Sequence, residues 1–425
     1  MSDRLDVYLH DHNAGLLTID GPLRSPEEWA FTYAPDYLAR PDSVALSASL
    51  PLRETRFEGA VVRNWFCNLL PEGAVRTAIS NRLRLPVWDD FGLLAAIGGE
   101  CAGAVSLHGP GAATAAVLPP LDSLSDMTLS DMDDGAQEGG FALLGTPLRL
   151  SLAGAQDKIA IVLDASGALR LPAFDEPSSH ILKPDSFRFR HLCDLEAFGL
   201  ALAAAVGLSV ASARLVVIGG DRRALLVERY DRAQAPTGGL MRLHQEDFCQ
   251  ALGYPPELKY QAQGGPSLVQ CLELVRRLRL GPVALQGLLD WGVFNALIGN
   301  ADAHAKNLAL LCGRDRRWRL APFYDLVPTM ALPERLVERS PALRIGNAAR
   351  IDAVTADDWR EFAGEAGFAA QLVAARVEAL SGQVLVQAGA TRDRLISEGG
   401  DAAELGRVAA LVEANARRMA QSAGN

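Results

Sequence analysis

Asp302 and Asn307 stand five residues apart in Gly299-Asn-Ala-Asp-Ala-His-Ala-Lys-Asn307, after an amphipathic helical pattern and directly before a strand pattern. A carboxylate can orient a hydroxyl nucleophile and accept its proton, and a side-chain amide oxygen can ligate a hard divalent cation. Phosphoryl transfer to a hydroxyl needs both groups on one side of a loop. A second carboxylate, Asp325, ends Ala321-Pro-Phe-Tyr-Asp325 with Tyr324 beside it, one hairpin further on. That is where a metal bridging phosphates would take another oxygen. Alone, the first segment reads as a turn and Asp325 as a cap. Their order and spacing favour metal-assisted transfer.

Three weaker signals precede these two. Ser151-Leu-Ala-Gly-Ala-Gln-Asp-Lys158 puts small residues between two strand patterns, so backbone N–H groups there can approach phosphates. With one glycine it falls short of a full phosphate-loop signature and matches a hairpin turn equally well. Lys183 sits on the next strand in His180-Ile-Leu-Lys-Pro184, with Glu196 on the following helix as a counter-ion. An edge-strand lysine is the plain alternative. Glu228-Arg229-Tyr230 ends the strand-rich half, where a hinge would offer backbone groups to an adenine. All five occur in the order a kinase requires.

The elements that must position these residues follow from pattern. Leu5–Leu9 and Leu16–Ile19 read as paired strands, and Asn68-Leu-Leu-Pro-Glu-Gly73 leads into a helix with Pro71 and Glu72 in its first turn. Strands are expected at 148–152, 158–163, 180–183, 215–218 and 224–228, with a helix at 194–206 between the third and fourth. Beyond Tyr230 the helices expected are 246–252, 267–280, 283–298, 356–366, 369–380 and 401–420, interrupted by a hairpin at 308–311 and 318–321. The division that results is a β-rich subdomain at 1–110, an acidic flexible connector at 111–143, a β-rich small lobe with a nucleotide loop at 144–232, and a helical lobe at 233–425. The fold class is α/β (α+β), a two-lobed protein-kinase-like fold with an additional N-terminal subdomain.

Composition excludes several other classes. The chain has 425 residues, 49% hydrophobic and 22% charged, which is globular usage, and its net charge of −10 argues against a broad grip on nucleic acid. The six cysteines form no CxxC pair and read as reduced thiols, and the seven histidines form no HExxH or Cys/His cluster. There is no GxSxG and no apolar run suited to a bilayer, so the expectation is a cytoplasmic protein.

The motifs together resemble the HipA-type serine/threonine kinases, toxins of bacterial HipBA toxin–antitoxin pairs. The resemblance runs over almost the whole chain and is carried by Asn68–Gly73, Ser151–Lys158, Ile181–Pro184, Val227–Arg232, His244–Phe248, Gly299–Asn307 and Pro322–Asp325. Asp302-Ala-His-Ala-Lys-Asn307 is also similar to lipid kinases and aminoglycoside phosphotransferases. The Ala-Gly-Ala-Gln and Asn-Leu-Leu-Pro-Glu-Gly motifs point to HipA. The chain departs from the common pattern at Asp157 and Tyr230, where Glu and Phe are frequent.

The resemblance implies ATP and Mg²⁺ as cofactors, Asp302 as catalytic base, and Asn307 and Asp325 as metal ligands. It also implies a nucleotide loop of Ala153, Gly154, Ala155, Gln156, Asp157 and Lys158, with Lys183 on the phosphates. Glu228, Arg229 and Tyr230 would seat the adenine, and His304, Ala305 and Lys306 would line the phosphate side, with Tyr324 next to Asp325. Ser151 would be the autophosphorylated serine, whose modification would drive out the loop by charge repulsion. The implied partners are a HipB-like helix-turn-helix antitoxin, DNA only through it, and a protein substrate such as glutamyl-tRNA synthetase; no membrane is implied. The rivals are a small-molecule phosphotransferase of the aminoglycoside type and a non-catalytic antitoxin-binding protein.

Overall fold

The computed structural model describes residues 3–21, 25–109, 158–172, 176–185, 190–218, 222–236 and 238–423. The connector at 111–143, the strand expected at 148–152, Ser151, the loop residues Ala153–Asp157 and the turn at 219–221 lie outside the described residues.

The N-terminal part is a five-stranded antiparallel sheet built on alternation. In β1 (Asp3–Leu9), Leu5, Val7 and Leu9 point inward while the residues between them stay at least partly exposed. Strands β2 (His12–Ile19), β3 (Trp29–Tyr33), β4 (Phe57–Glu58) and β5 (Val105–His108) complete it in the order β4-β3-β2-β1-β5. Its core closes against α2 (Ala60–Cys67) and α4 (Asp90–Ile97), with α1 (Pro35–Leu38) at the rim. Between α2 and α3 (Gly73–Leu83) runs the Asn68–Gly73 segment. Pro71 and Glu72 precede the helix instead of forming its first turn. Glu72 is its N-cap in extended conformation, and Gly73 takes φ +56°, which glycine tolerates best.

The second sheet holds β6 (Ile159–Leu163), β7 (Leu169–Arg170), β8 (His180–Pro184), β9 (Ala213–Ile218) and β10 (Arg222–Glu228), ordered β7-β6-β8-β10-β9. Its two faces belong to different cores. Ile159, Ile161, Leu182, Ala224 and Leu226 make a small cluster of their own. Leu225 and Val227, on the other face, join α5 (Leu192–Ala205) in the main helical core. Strands β11 (Arg232–Gln234) and β12 (Leu240–Arg242) form a short ribbon.

Next come β13 (Gln245–Asp247), α6 (Phe248–Leu252), α7 (Leu268–Arg277) and α8 (Pro282–Ile298). The helix expected from Glu246 starts after Asp247 because Asp247 caps it, accepting from Gln250 N, while residues 245–247 pair with β14 (Ala309–Cys312). Strand β15 (Trp318–Leu320) returns beside β14. The chain ends in α9 (Ala356–Ala366), α10 (Ala370–Ser397) and α11 (Ala402–Ala423). Helix α10 continues well past the expected Leu380. Its Gly382 and Gly389 cost helix propensity, but Val377, Leu380, Val384, Ala388 and Leu395 keep one face in the core. No helix among the described residues is long and apolar enough to cross a membrane.

Candidate active site

Lys183 sits in β8, a central strand, and is buried. The plain alternative, an exposed edge lysine, is thereby set aside. Leu182 faces the small cluster, so strand alternation turns Lys183 to the face covered by α5. There its ammonium donates to Glu196 Oε1 at 2.7 Å and also to Asp325 Oδ1. Two carboxylates share this lysine. Burial pushes Glu196 up to about 7 despite Lys183. Burial works in the same direction on Asp325, but Lys183 and Lys158 overcome it and hold that carboxyl well below the usual range. Lys158, at the inner end of the expected nucleotide loop, is lowered by burial to about 8, with Asp325 opposing the shift.

Asp325 has a left-handed backbone, φ +52°, a conformation in which Asp and Asn are the most tolerated non-glycine residues. Helix α5 lies directly on the segment that follows. A Cβ on Gly199 would fall 1.7 Å from the Leu326 carbonyl oxygen, so only glycine permits this approach. Glu196 and Asp325 are therefore registered to each other by backbone contact as well as by Lys183.

The loop after α8 carries the other functional candidates. Gly299 turns the chain at φ +65°, and Thr329 Oγ1 accepts from Ala301 N at 2.8 Å. Asn300 joins the two carboxylate-bearing segments. Its Nδ2 donates to Asn295 Oδ1 at 2.8 Å and to the Asp325 carbonyl at 3.3 Å, and its Oδ1 accepts from Asp302 N at 3.1 Å. Asn307 Nδ2 donates to the Asp302 carbonyl at 3.0 Å, which turns the amide nitrogen toward the backbone and leaves its oxygen as the acceptor. Asp302 itself is exposed, and its Oδ1 accepts from the Tyr260 hydroxyl at 2.7 Å. His304 is buried edge-on to Tyr260, at 5.4 Å between ring centroids, and desolvation lowers it to about 4, so the ring is neutral. Ala305 is buried behind it.

Two expected site residues are engaged elsewhere. Lys306 turns its ammonium to the N-terminal part, 2.8 Å from Asn68 Oδ1 and 2.9 Å from Glu72 Oε1. Arg229 directs its guanidinium to Asp231, at 2.9 and 2.7 Å, and to Ser178 Oγ at 2.9 Å. With Glu100 and Arg232 it forms a buried network that fastens the approach to β5 to the end of the second sheet. Tyr230 stacks on Tyr324 at 5.8 Å, and Tyr324 donates to the Lys306 carbonyl at 2.7 Å, while Glu228 ends β10 with its side chain exposed. Asn300, Tyr260 and Glu72 received no role from sequence. Tyr260 lacks a distinctive local pattern, whereas the motifs holding Asn300 and Glu72 were visible without their contacts.

A strand lysine paired with a helix glutamate, beside a loop carboxylate and a second carboxylate one hairpin later, defines a kinase-like scaffold. Comparison with known proteins narrows it. Residues 5–108 match the HipA N-terminal domain model and residues 150–388 the HipA-like C-terminal domain model. The chain is 41% identical over 360 residues to Y4mE of Sinorhizobium fredii, covering 82% of this chain and 83% of that protein. It is 30% identical to the serine/threonine-protein kinase toxin HipA of Shewanella oneidensis, over 76% and 74% of the two chains. The solved complex of Shewanella oneidensis HipA with HipB and operator DNA superimposes with a TM-score of 0.82 at 25% identity, covering 99% of this chain and 98% of that one. The chain belongs to the HipA family of kinases.

Kinases of this type use ATP with a divalent metal. Among the described residues no group of three or more His, Cys, Asp and Glu side chains could hold a metal ion. Mg²⁺ at a kinase site needs no such cage, because one or two protein oxygens complete a shell supplied by phosphates and water. The Asp325 carboxylate and the Asn307 amide oxygen are hard donors of the right kind.

Proposed function

We propose that the chain is an ATP- and Mg²⁺-dependent protein serine/threonine kinase acting as a HipA-type toxin. The observation that carries this reading is the Lys183–Glu196 ion pair at 2.7 Å with Asp325 on the same ammonium. That constellation puts a fixed cation beside a carboxylate suited to a metal. Asp302 orients the acceptor hydroxyl and takes its proton. Asn307 and Asp325 hold Mg²⁺, which when bound neutralises charge on the phosphates. Lys183 contacts the phosphates, residues 153–158 form the nucleotide loop, and the segment Glu228–Tyr230 seats the adenine. The commitment of the Arg229 guanidinium to Asp231 leaves its backbone and the Tyr230 ring for that task.

Ser151 is the self-modified serine of this reading. A HipB-like antitoxin is the partner, DNA is reached only through it, and glutamyl-tRNA synthetase is the candidate substrate; the chain works in the cytoplasm. The HipA–HipB–operator complex of the Shewanella relative supports the antitoxin and DNA parts. Replacing Asp302 with Ala should abolish phosphate transfer from labelled ATP to protein while leaving the melting temperature near wild type, because the side chain is exposed. Retained incorporation in the purified variant would refute the assignment. Mass spectrometry after incubation with ATP should find phosphate on Ser151, as a small-molecule phosphotransferase would not require.

A further inference from the structure

One carboxylate of the N-terminal part reaches both sides of the loop that carries Asp302. Glu72 Oε1 lies 2.9 Å from Lys306 Nζ, and Glu72 Oε2 accepts from Lys259 Nζ at 2.9 Å. All three side chains are largely buried, with exposures of 18%, 4% and 13% for Glu72, Lys306 and Lys259. Burial alone would push Glu72 up, and the two lysines instead hold it at about 2, so it is ionised throughout the working range.

Each lysine leads to Asp302 by a short path. Lys306 lies four residues beyond it in the same loop, and the Lys306 carbonyl is itself held by the Tyr324 hydroxyl at 2.7 Å. Lys259 adjoins Tyr260, its ammonium 5.3 Å from the ring centroid, and the Tyr260 hydroxyl donates to Asp302 Oδ1 at 2.7 Å. That bond occupies one carboxylate oxygen and leaves the other for an acceptor hydroxyl. The turn that delivers Glu72 depends on Gly73 at φ +56° and on Asn68, whose Nδ2 donates to the Asn64 and Tyr254 carbonyls at 2.8 Å.

We infer that Glu72 is a positioning residue for phosphoryl transfer: through Lys306 and through Lys259 with Tyr260 it sets the orientation of Asp302, which makes the N-terminal part a component of the acceptor side of the site. This rests on the reading of Asp302 proposed above. Glu72 touches no reacting atom. Its removal should therefore act on the rate of the transfer step and leave nucleotide binding alone, since Lys183, Glu196 and Asp325 do not contact it.

The test uses the full chain and ATP-dependent phosphate incorporation into protein. Glu72→Gln keeps the shape and removes the charge, and should lower kcat by about 10–100-fold with the KM for ATP within about twofold of wild type. Lys259→Met should lower kcat by a smaller factor, Lys259→Arg should restore it, and Glu72→Gln with Lys259→Met should be no slower than Glu72→Gln alone, because the two act in one chain. A merely structural role predicts instead a fall in melting temperature with additive effects and no rescue by arginine. Wild-type kcat in Glu72→Gln overturns the inference. Should that variant not fold, the lysine series decides: equal kcat for Lys259→Met and Lys259→Arg overturns it, and loss with rescue supports it. Asp302→Ala separates the two levels. Transfer surviving in that variant sinks the reading of the site, whereas a silent Asp302→Ala with wild-type rates in the Glu72 and Lys259 variants sinks only the positioning role.

Discussion

Two buried lysine–glutamate pairs flank the candidate site, and they differ in charge balance. On the nucleotide side Glu196 and Asp325 share Lys183, two carboxylates on one ammonium, and Glu196 is pushed up to about 7. On the acceptor side Glu72 meets two ammoniums, of which Lys306 also lies 3.9 Å from Asp247, and is held at about 2. In the first arrangement one contacting ammonium is divided between two acids, with Lys158 acting on Asp325 as well. The second is saturated and suited to holding a loop still. The Lys183–Glu196 half of the first is local, thirteen residues apart in one strand–helix unit, whereas the second joins the N-terminal part to the loop that carries Asp302.

The sharpest way to break this contrast is Lys183→Met. Among the described residues it removes the one ammonium that both carboxylates contact directly, and it leaves two buried acids side by side, so phosphate transfer should fall by about a thousandfold. Glu72→Gln, by comparison, should keep measurable activity. Equal residual rates for the two variants would erase the distinction between a charge that meets phosphate and one that only positions. The readout is single-turnover transfer from labelled ATP at saturating nucleotide.

Gly199→Ala comes next and probes the same nucleotide side without touching charge. The new Cβ would meet the Leu326 carbonyl at 1.7 Å, and neither a helix backbone nor that carbonyl can yield without moving Glu196 away from Asp325. Overpacking of this kind costs about 1–3 kcal/mol in stability. A displacement of about 1 Å at the reacting groups costs up to about a hundredfold in rate. A variant with normal kcat and a normal melting temperature would show that α5 is not registered on this contact.

The nucleotide side was the more legible of the two for a physical reason. Lys183, Glu196, Asn307 and Asp325 belong to short patterns in which chemistry demands particular side chains at particular spacings. Strand alternation then suffices to turn Lys183 toward α5. The Asn68–Gly73 motif was visible as a string, but its partner Lys306 lies more than two hundred residues away, and only tertiary packing brings them together. The engagement of the Arg229 side chain was hidden for the same reason. A charged residue at a strand end resembles a hinge, and its burial against Glu100 and Asp231 depends on the docking of the N-terminal sheet. Helix limits failed where capping decides, as at Asp247, or where a sustained apolar face outweighs glycine, as in α10.

The smallest effect expected separates a third interface carboxylate from Glu72. Glu246 is buried between the same two parts but has no lysine. It accepts from Ser47 Oγ at 2.5 Å, Ala48 N at 2.9 Å and Trp65 Nε1 at 3.2 Å, and burial still pushes it up to about 7. Its pKa is therefore raised on folding from the ordinary 4.5. The proton-bound form is the one the fold prefers, so its stabilisation is complete below about pH 4.5 and is lost as pH rises through about 7. The loss is at most about 3 kcal/mol. Asp247, pushed up by burial to about 6, adds a slope of the same sign. Glu72 contributes the opposite slope, between about 4.5 and about 2, below this window. Glu246→Gln imitates the protonated acid, so urea unfolding at pH 5 should match wild type within about 1 kcal/mol, and the decline toward pH 8 should flatten to the part owed to Asp247. An unchanged slope would place the titration elsewhere and show that three neutral donors compensate a buried carboxylate as well as two lysines do.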